Sequence, residues 1–147
     1  MSADVDVRVV READDQIVAA LGRLLPQLSS GAQPLDAAAV EALLAADALT
    51  VLAASVGGRI VGTLTLVVFT LPTGVRARIE DVVVDDAARG RGVGAELTRT
   101  ALTLAEASGA RTVDLTSRPS REAANRLYQR AGFRLRDSNV YRFTFGE

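Results

Sequence analysis

The residues best suited to chemistry in this chain run from Val82 to Gly94, where an apolar stretch gives way to a glycine-rich one. Three glycines alternate with other residues from Gly90 to Gly94. Glycine has no Cβ, so the N–H groups of such a loop can approach a ligand closely. A helix that begins at the loop would add unpaired N–H groups and a positive dipole end. Since Arg89 and Arg91 add positive charge, the stretch predicts a site for an anion, and a phosphate-bearing ligand in particular.

Composition removes several other chemistries. The 147 residues contain no cysteine and no histidine, and all 17 basic residues are arginine. A thiolate nucleophile, a zinc–cysteine site, a histidine base and a histidine-ligated metal are therefore excluded, and no metal is expected. Without lysine there is no phosphate-binding lysine loop and no Schiff base. Proton transfer must fall to carboxylates, tyrosine, water or the substrate itself.

Charge and hydropathy limit the partners. With 17 basic and 18 acidic residues the net charge is −1, so no overall basic field favours nucleic acid or an anionic membrane. No apolar run approaches the roughly 20 residues of a membrane span. The first 15 residues also lack the basic and apolar regions of a secretion signal. We therefore expect a soluble cytoplasmic protein with neither a nucleic-acid partner nor a membrane partner.

The elements that must position the loop follow from periodicity. Asp14 and Asp36 can cap two amphipathic helices, and Gly57 with Gly58 is typical of a two-residue hairpin between strands. A crossover of strand, glycine loop, helix and strand follows. The predicted strands are an alternating start at Val5 to Val9, Thr50 to Val56, Arg59 to Phe69, Arg78 to Val84, Thr112 to Thr116, and a return from Phe133 toward Tyr141 and Phe145. The predicted later helices run from Gly92 toward Gly109 and from about Ser120 to Ala131.

These elements predict one domain with a mixed sheet, in an α/β or α+β arrangement. No repeat and no long linker divides the chain. At 147 residues the chain can bury one sizeable core but hardly two.

Two motifs resemble a known family. Arg89-Gly90-Arg91-Gly92-Val93-Gly94 fits the phosphate motif R/Q-x-x-G-x-G/A, and an apolar strand ends at Val84, five residues before that arginine. Later, Tyr128 is followed by three residues and then by Gly132 and Phe133. With this order of elements, nearly the whole chain resembles the GNAT superfamily of acetyl-CoA-dependent N-acetyltransferases. The resemblance implies one GNAT domain over residues 1–147, with a mostly antiparallel mixed sheet of six to seven strands and about four helices.

The resemblance also implies where acetyl-CoA binds. A bulge in the fourth strand, within Val82 to Val84, would open a gap for the pantetheine arm, and the loop amides would hold the pyrophosphate. The family often has Asn where this chain has Arg121, so Asn125 could replace that contact and Arg121 could reach a phosphate. The implied cofactor-binding residues are Val82, Val83, Val84, Arg89, Gly90, Arg91, Gly92, Val93, Gly94 and Asn125.

The reaction needs a base, an oxyanion partner and an acid. Glu80 could accept the amine proton, directly or through water, with partial burial raising its pKa. A backbone N–H near Val84 would polarise the thioester, and Tyr128 would donate a proton to the sulfur. Since cysteine is absent, we expect direct attack in a ternary complex.

Each of these residues also has a simpler interpretation. Tyr128 could merely pack in the core, and Glu80 could be the partner of a strand arginine. Asp81, a candidate substrate contact, should point to the opposite face from Glu80 unless the bulge intervenes.

Other functions stay open at this point. A catalytically idle acyl-CoA sensor would keep the loop without needing Tyr128 or Glu80, and a purely structural domain would bind no ligand. Many relatives form dimers through late strands, so the resemblance also implies a homodimer. Acidic residues near the cleft mildly favour a cationic amine, but nothing in the sequence names the acceptor.

Overall fold

The computed structural model describes residues 4–146, which form one five-stranded sheet with helices on both faces. The strands are β1 (Val5–Val9), β2 (Leu49–Val56), β3 (Arg59–Leu71), β4 (Gly74–Val84) and β5 (Val113–Asp114). The helices are α1 (Asp15–Leu28), α2 (Ala37–Ala45), α3 (Val93–Ala107) and α4 (Glu122–Arg130), with a 3-10 turn at Asp86–Ala88. This is the predicted mixed fold, with five strands among the described residues instead of six to seven.

The two first helices begin at the predicted caps. The Asp14 carboxylate accepts a hydrogen bond from the N–H of Ile17 at 2.9 Å, and that of Asp36 accepts one from Ala39 at 2.8 Å. Each bond satisfies one of the N–H groups that a helix start leaves unpaired. Local side chains therefore fix both helix starts, which is why the sequence alone could locate them.

The sheet follows chain order, β1-β2-β3-β4-β5, and only β4 and β5 are parallel. Gly57 and Gly58 both have positive φ, 58° and 80°, at the turn between β2 and β3. A two-residue turn with two left-handed residues matches the twist of the strands it joins. The predicted hairpin is confirmed, and it sets the register of the β2–β3 ladder, which begins at the pair Val56 and Arg59.

Two apolar clusters lie on the two faces of the sheet. Against α3, the sheet buries Leu52, Leu64, Leu66, Ala77 and Ile79 together with Val93, Leu97, Ala101 and Ala105 of the helix. Against α1 and α2, it buries Val51, Ala53, Ile60 and Val83 together with Ile17, Leu24 and Val40. Because α1 and α3 cover opposite faces, the end of β4 and the loop after it lie between them.

The prediction for the C-terminal part was wrong in one respect. Residues from Phe133 to the end of the described chain form no strand, although a return strand toward Tyr141 and Phe145 was expected. Their alternation of apolar and polar residues is that of a strand, but nothing in the described chain pairs with them. The missing pairing explains the lower strand count.

Smaller differences affect the ends of the later elements. β5 covers two residues instead of Thr112 to Thr116, and α4 begins at Glu122 instead of about Ser120. Gly132, with φ 105°, does follow α4 as predicted. Among residues 4–146, no helix is both long and apolar enough to cross a membrane.

Candidate functional site

β4 contains a bulge beside its end. Glu80 pairs with Thr65 of β3, and Val83 pairs with Thr63, so two residues of β4 lie where β3 has one. These two are Asp81 and Val82, and Asp81 has the left-handed φ of 50°. A non-glycine residue in this region is uncommon and is typical of a fixed irregularity. The bulge predicted within Val82 to Val84 is therefore present and begins one residue earlier.

After the bulge, the side chains of β4 alternate between the two faces of the sheet in the opposite phase. Before it, Ala77 and Ile79 are buried in the α3-side cluster, and after it Val82 and Val84 pack against that same cluster. Val83 turns instead to the α1 side. Since strand side chains alternate, one inserted residue accounts for this change of phase. Only the backbone of Val83 could therefore contact a ligand bound between β4 and β5.

A gap opens between β4 and β5 at the level of the bulge. The parallel ladder ends at the pair Arg78 and Asp114. Further along, the N–H of Asp85 donates to the carbonyl of Val61 on β3 at 2.8 Å. Alternate N–H groups of a strand point to opposite neighbours, so the N–H of Val84 points away from β3 and into the gap. The gap thus has a backbone donor on its β4 side.

The glycine loop ends at the unprotected start of α3. Gly90 and Gly92 both have left-handed φ, 82° and 78°, which L side chains rarely adopt. Gly92 is the N-cap of α3 and supplies no side-chain bond. The first α-helical bond runs from the N–H of Glu96 to the carbonyl of Gly92 at 3.0 Å. The N–H groups of the three preceding residues have no intrahelical acceptor and can bind an anion.

Two arginines stand at this loop. Arg89 is exposed and forms an ion pair with Asp86, with 2.9 Å between Nη2 and Oδ1, and Arg91 is exposed. An exposed pair of this kind is weak, so an anion can compete for the Arg89 guanidinium. The loop therefore has the two elements of the predicted anion site, which are backbone donors and exposed positive charge.

Helix α1 supports the segment before the loop, which the sequence did not reveal. The Oε1 of Gln27 accepts a hydrogen bond from the N–H of Asp86 at 3.0 Å, and Arg23 lies 3.8 Å from the Asp85 carboxylate. The Nη1 of Arg23 is buried and has no hydrogen-bond partner. These residues are distant in sequence, so only the fold brings them together.

Two glycines let the helices approach the site. A Cβ on Gly62 of β3 would lie 2.8 Å from Cγ1 of Val93 and 3.2 Å from the carbonyl of Val83. A Cβ on Gly94 would lie 3.0 Å from Cδ1 of Leu127. Gly62 was not predicted as a functional residue, although a lone glycine inside a β-branched strand is typical of close packing. It allows the first turn of α3 to rest on β3.

Tyr128 is buried on α4, at 7% exposure, and packs edge-on against Phe133 with ring centroids 5.8 Å apart. Burial raises the pKa of its phenol, an effect that the charge of Arg121 partly offsets. The hydroxyl is therefore neutral at pH 7 and can act as a donor. Core packing and proton donation, separate interpretations of the sequence, are compatible in this geometry.

The other polar residue predicted on α4 has a structural partner. The Nδ2 of Asn125 donates to the carbonyl of Arg118 at 2.9 Å. This bond ties α4 to the segment that follows β5. The amide of Asn125 therefore has a structural hydrogen-bond partner, and its direct contact with a cofactor stays a prediction. Ser117, in the same segment, has a buried Oγ without a hydrogen-bond partner.

Glu80 is exposed and paired, not partly buried as expected. Its Oε2 lies 3.0 Å from Nε of Arg78, and Nη2 of Arg78 lies 3.3 Å from Oγ1 of Thr116. Arg78 thus bridges from β4 to the segment after β5, beside the gap. Asp81 is exposed as well, because the bulge changes its direction. The base and substrate roles of these carboxylates stay predictions.

Within residues 4–146, no cluster of acidic side chains could hold a metal.

Sequence comparison supports the resemblance. The model of the acetyltransferase (GNAT) family matches residues 10–133. This range includes the bulge, the glycine loop and Tyr128. No curated protein matches the sequence.

Solved structures share the fold. An aminoglycoside acetyltransferase from an uncultured soil metagenomic sample, in complex with trehalose, is 19% identical, covers 99% of this chain and 98% of its own, and has a TM-score of 0.84. A transcriptional regulator from Bacillus halodurans is 28% identical, and the match covers 95% of this chain and 99% of the regulator, with a TM-score of 0.75. The aminoglycoside N-acetyltransferase AAC(6')-Iy in complex with CoA is 20% identical, and the match covers 96% of this chain and 95% of that enzyme, with a TM-score of 0.78.

Proposed function

Because the chain belongs to the acetyltransferase (GNAT) family, we propose that it transfers an acetyl group from acetyl-CoA to a primary amine of a small molecule or a protein. The amine attacks directly in a ternary complex, since the chain has no cysteine to carry the acetyl group. The observation that carries this proposal is the gap between β4 and β5, with the N–H of Val84 directed into it and the glycine loop at its end.

The residues present fit acetyl-CoA. When bound, this cosubstrate supplies an activated acetyl thioester. The amides from Arg89 to Gly94 and the guanidiniums of Arg89 and Arg91 would hold its diphosphate. The β4 backbone from Val82 to Val84 would hold its pantetheine arm. No side chain needs to be displaced at Gly90, where no heavy atom lies within 4 Å of a Cβ position.

Three groups of the chain would then act on the reaction, and a fourth would attract the acceptor. The N–H of Val84 stabilises the negative charge that develops on the carbonyl oxygen. The neutral hydroxyl of Tyr128 donates its proton toward the departing sulfur. Glu80 accepts the amine proton, directly or through water, once its contact with Arg78 loosens. Asp81, exposed at the bulge, attracts a cationic acceptor.

Thiol release tests the proposal. The protein is incubated with acetyl-CoA and a panel of polyamines, aminoglycosides, amino sugars and peptides with free N-termini, and free thiol is followed. We expect thiol release with at least one amine, and a lower rate in Glu80→Gln than in Asp81→Asn if Glu80 is the base. Thermal unfolding is measured in parallel, because ligand at 100 times its dissociation constant stabilises by about 2.7 kcal/mol.

A second candidate is a regulatory module that binds acyl-CoA without turnover. The 28% identical structure described as a transcriptional regulator favours it. This candidate predicts a thermal shift with CoA and no thiol release with any amine. Absence of both effects would contradict the transferase and the sensor together.

A further inference from the structure

The part of β4 that precedes the bulge carries a row of charged side chains on one face of the sheet. Ala77 and Ile79 are buried in the α3-side cluster. The residues that alternate with them therefore face the α1 side, and these are Arg76, Arg78 and Glu80. At about 3.3 Å per residue, Glu80 and Arg76 are about 13 Å apart along the strand. The row thus runs from a carboxylate beside the gap to an arginine well away from it.

The α1 side of the sheet is open beside these arginines. The β3 partners of Arg78 and Arg76 are Val67 and Phe69. Both apolar side chains are half-buried, and they pack against neither of the two apolar clusters. Leu71, further along β3, is 42% exposed. Helices α1 and α2 therefore leave this part of the face accessible, and an apolar strip on β3 lies beside the arginines of β4.

Two arginines converge at the end of the row that is far from the gap. The Nη1 atoms of Arg76 and Arg111 lie 3.7 and 3.8 Å from one point, the position of a Cβ on Gly74. Neither arginine forms an ion pair within residues 4–146, whereas Arg78 is paired with Glu80. Two guanidiniums placed in this way repel each other, and an anion between them removes the repulsion and accepts charge-assisted hydrogen bonds. Arg76 and Arg111, here called the arginine pair, therefore have the chemistry of an anion site.

Hydrogen bonds to the sheet fix both members of the arginine pair. The N–H of Arg111 donates to the carbonyl of Val75 on β4 at 3.0 Å. The Nη2 of Arg76 donates to Oγ1 of Thr73 at 3.3 Å. Asp114 of β5 is exposed at the same level and forms no ion pair with either arginine in the described chain. Because the backbone at both positions is already ordered, binding of an anion loses less conformational entropy there than on a mobile segment.

We propose that the acceptor of acetyl transfer is zwitterionic, with its amine beside Glu80 and a carboxylate held by Arg76 and Arg111. An apolar body about 13 Å long would join the two charged ends and lie over Val67 and Phe69. Opposite charges at the two ends of the row orient such a molecule, so that its amine points toward the gap. This assignment rests on the proposed function, because it concerns the acceptor of that reaction, but the anion site is also tested without acetyl-CoA.

A homologous series of ω-aminoalkanoates tests the assignment. Each compound has an amine and a carboxylate at opposite ends of a methylene chain, and its terminal amide lacks the negative charge. The value of kcat/KM is measured by thiol release for every acid and for the matching amide. We expect the acid to exceed its amide about tenfold or more when the two ends are about 13 Å apart, and the ratio to be near one for the shortest members.

Substitutions connect this preference to the arginine pair. Arg76→Gln and Arg111→Gln should each lower kcat/KM for the acid about fivefold and leave that for the amide nearly unchanged, since only the acid has the charge that they bind. Arg59→Gln removes an exposed arginine at the β2–β3 turn and should change neither value. Circular dichroism confirms that each variant is folded.

Calorimetric titration of the same acids and amides into the protein without acetyl-CoA measures the anion site alone. We expect the wild type to prefer the acid, and a variant with both substitutions to show no preference. A wild type that shows no preference for the acid, or a preference that survives both substitutions, would overturn the assignment. Preferential binding of the acid together with no thiol release from any amine would instead contradict the proposed transferase.

Discussion

Gly62 is the residue whose replacement tests the geometry of the site most directly. In Gly62→Ala the new methyl would lie 2.8 Å from Cγ1 of Val93, 3.1 Å from Cδ1 of Leu97 and 3.2 Å from the carbonyl oxygen of Val83. The carbonyl belongs to the backbone, and both side chains are buried in the α3-side cluster. Overpacking of this kind costs about 1–3 kcal/mol.

Two effects of opposite sign decide the size of the change. Alanine loses less backbone entropy than glycine on folding, which returns about 0.5–1 kcal/mol. The net loss in the free energy of unfolding is then roughly 0–2.5 kcal/mol, or up to about 8 °C in the melting temperature of a chain this long. Because Val93 opens α3, relief of the contact should also displace the loop amides and weaken CoA binding.

A matched variant separates the effect of the close contact from the general effect of replacing glycine with alanine. Gly22, in α1, has no heavy atom within 4 Å of its Cβ position. Gly22→Ala should raise stability by about 0.5–1 kcal/mol and leave CoA affinity unchanged. Thermal unfolding by circular dichroism and calorimetric CoA titration measure both. If Gly62→Ala were as stable as the wild type and bound CoA equally well, the close approach of α3 to β3 would not position the loop.

Three further predictions concern the same site. Tyr128→Phe should lower turnover about 100-fold, as expected for loss of a general acid, with CoA affinity nearly unchanged, whereas Tyr141→Phe should leave turnover unaltered in the same thiol assay. In calorimetric titration, Arg89→Ala should lower the affinity for CoA about tenfold and leave unchanged the affinity for a pantetheine analogue without the diphosphate. Arg99→Ala should change neither affinity. Since burial raises the pKa of Tyr128 above 10, its contribution to stability is complete below pH 10 and is lost as pH rises through the higher value; denaturant titrations should show less alkaline loss in Tyr128→Phe.

The sequence predicted best what neighbouring residues determine. The cap at Asp14, the turn at Gly57 and Gly58, and the start of α3 at the glycine loop depend on residues within a few positions of each other. Each element has a local physical cause, so its position can be inferred before the fold is known.

Contacts between distant segments were not predictable in the same way. Gln27 reaches Asp86 across 59 positions, and Arg78 reaches Thr116 across 38. The C-terminal segment after Phe133 shows the opposite error. Its apolar and polar residues alternate as in a strand, but it forms no strand in the described chain, because a strand needs a neighbour to pair with and alternation alone does not supply one.

The bulge at Asp81 explains why the roles of the β4 carboxylates could not be read from spacing. Without it, Val84 would lie in phase with Glu80, its side chain would turn to the α1 side, and its N–H would point toward β3. With one extra residue, the side chain of Val84 packs toward α3 and its N–H faces the gap. The same insertion leaves Glu80 and Asp81 both exposed instead of on opposite faces. A single backbone irregularity therefore determines the phase of the donor in the gap and the direction of the carboxylates beside it. Because deletion of Asp81 would leave Val84 paired with Gly62, it should change the carboxylates and keep the direction of the Val84 N–H.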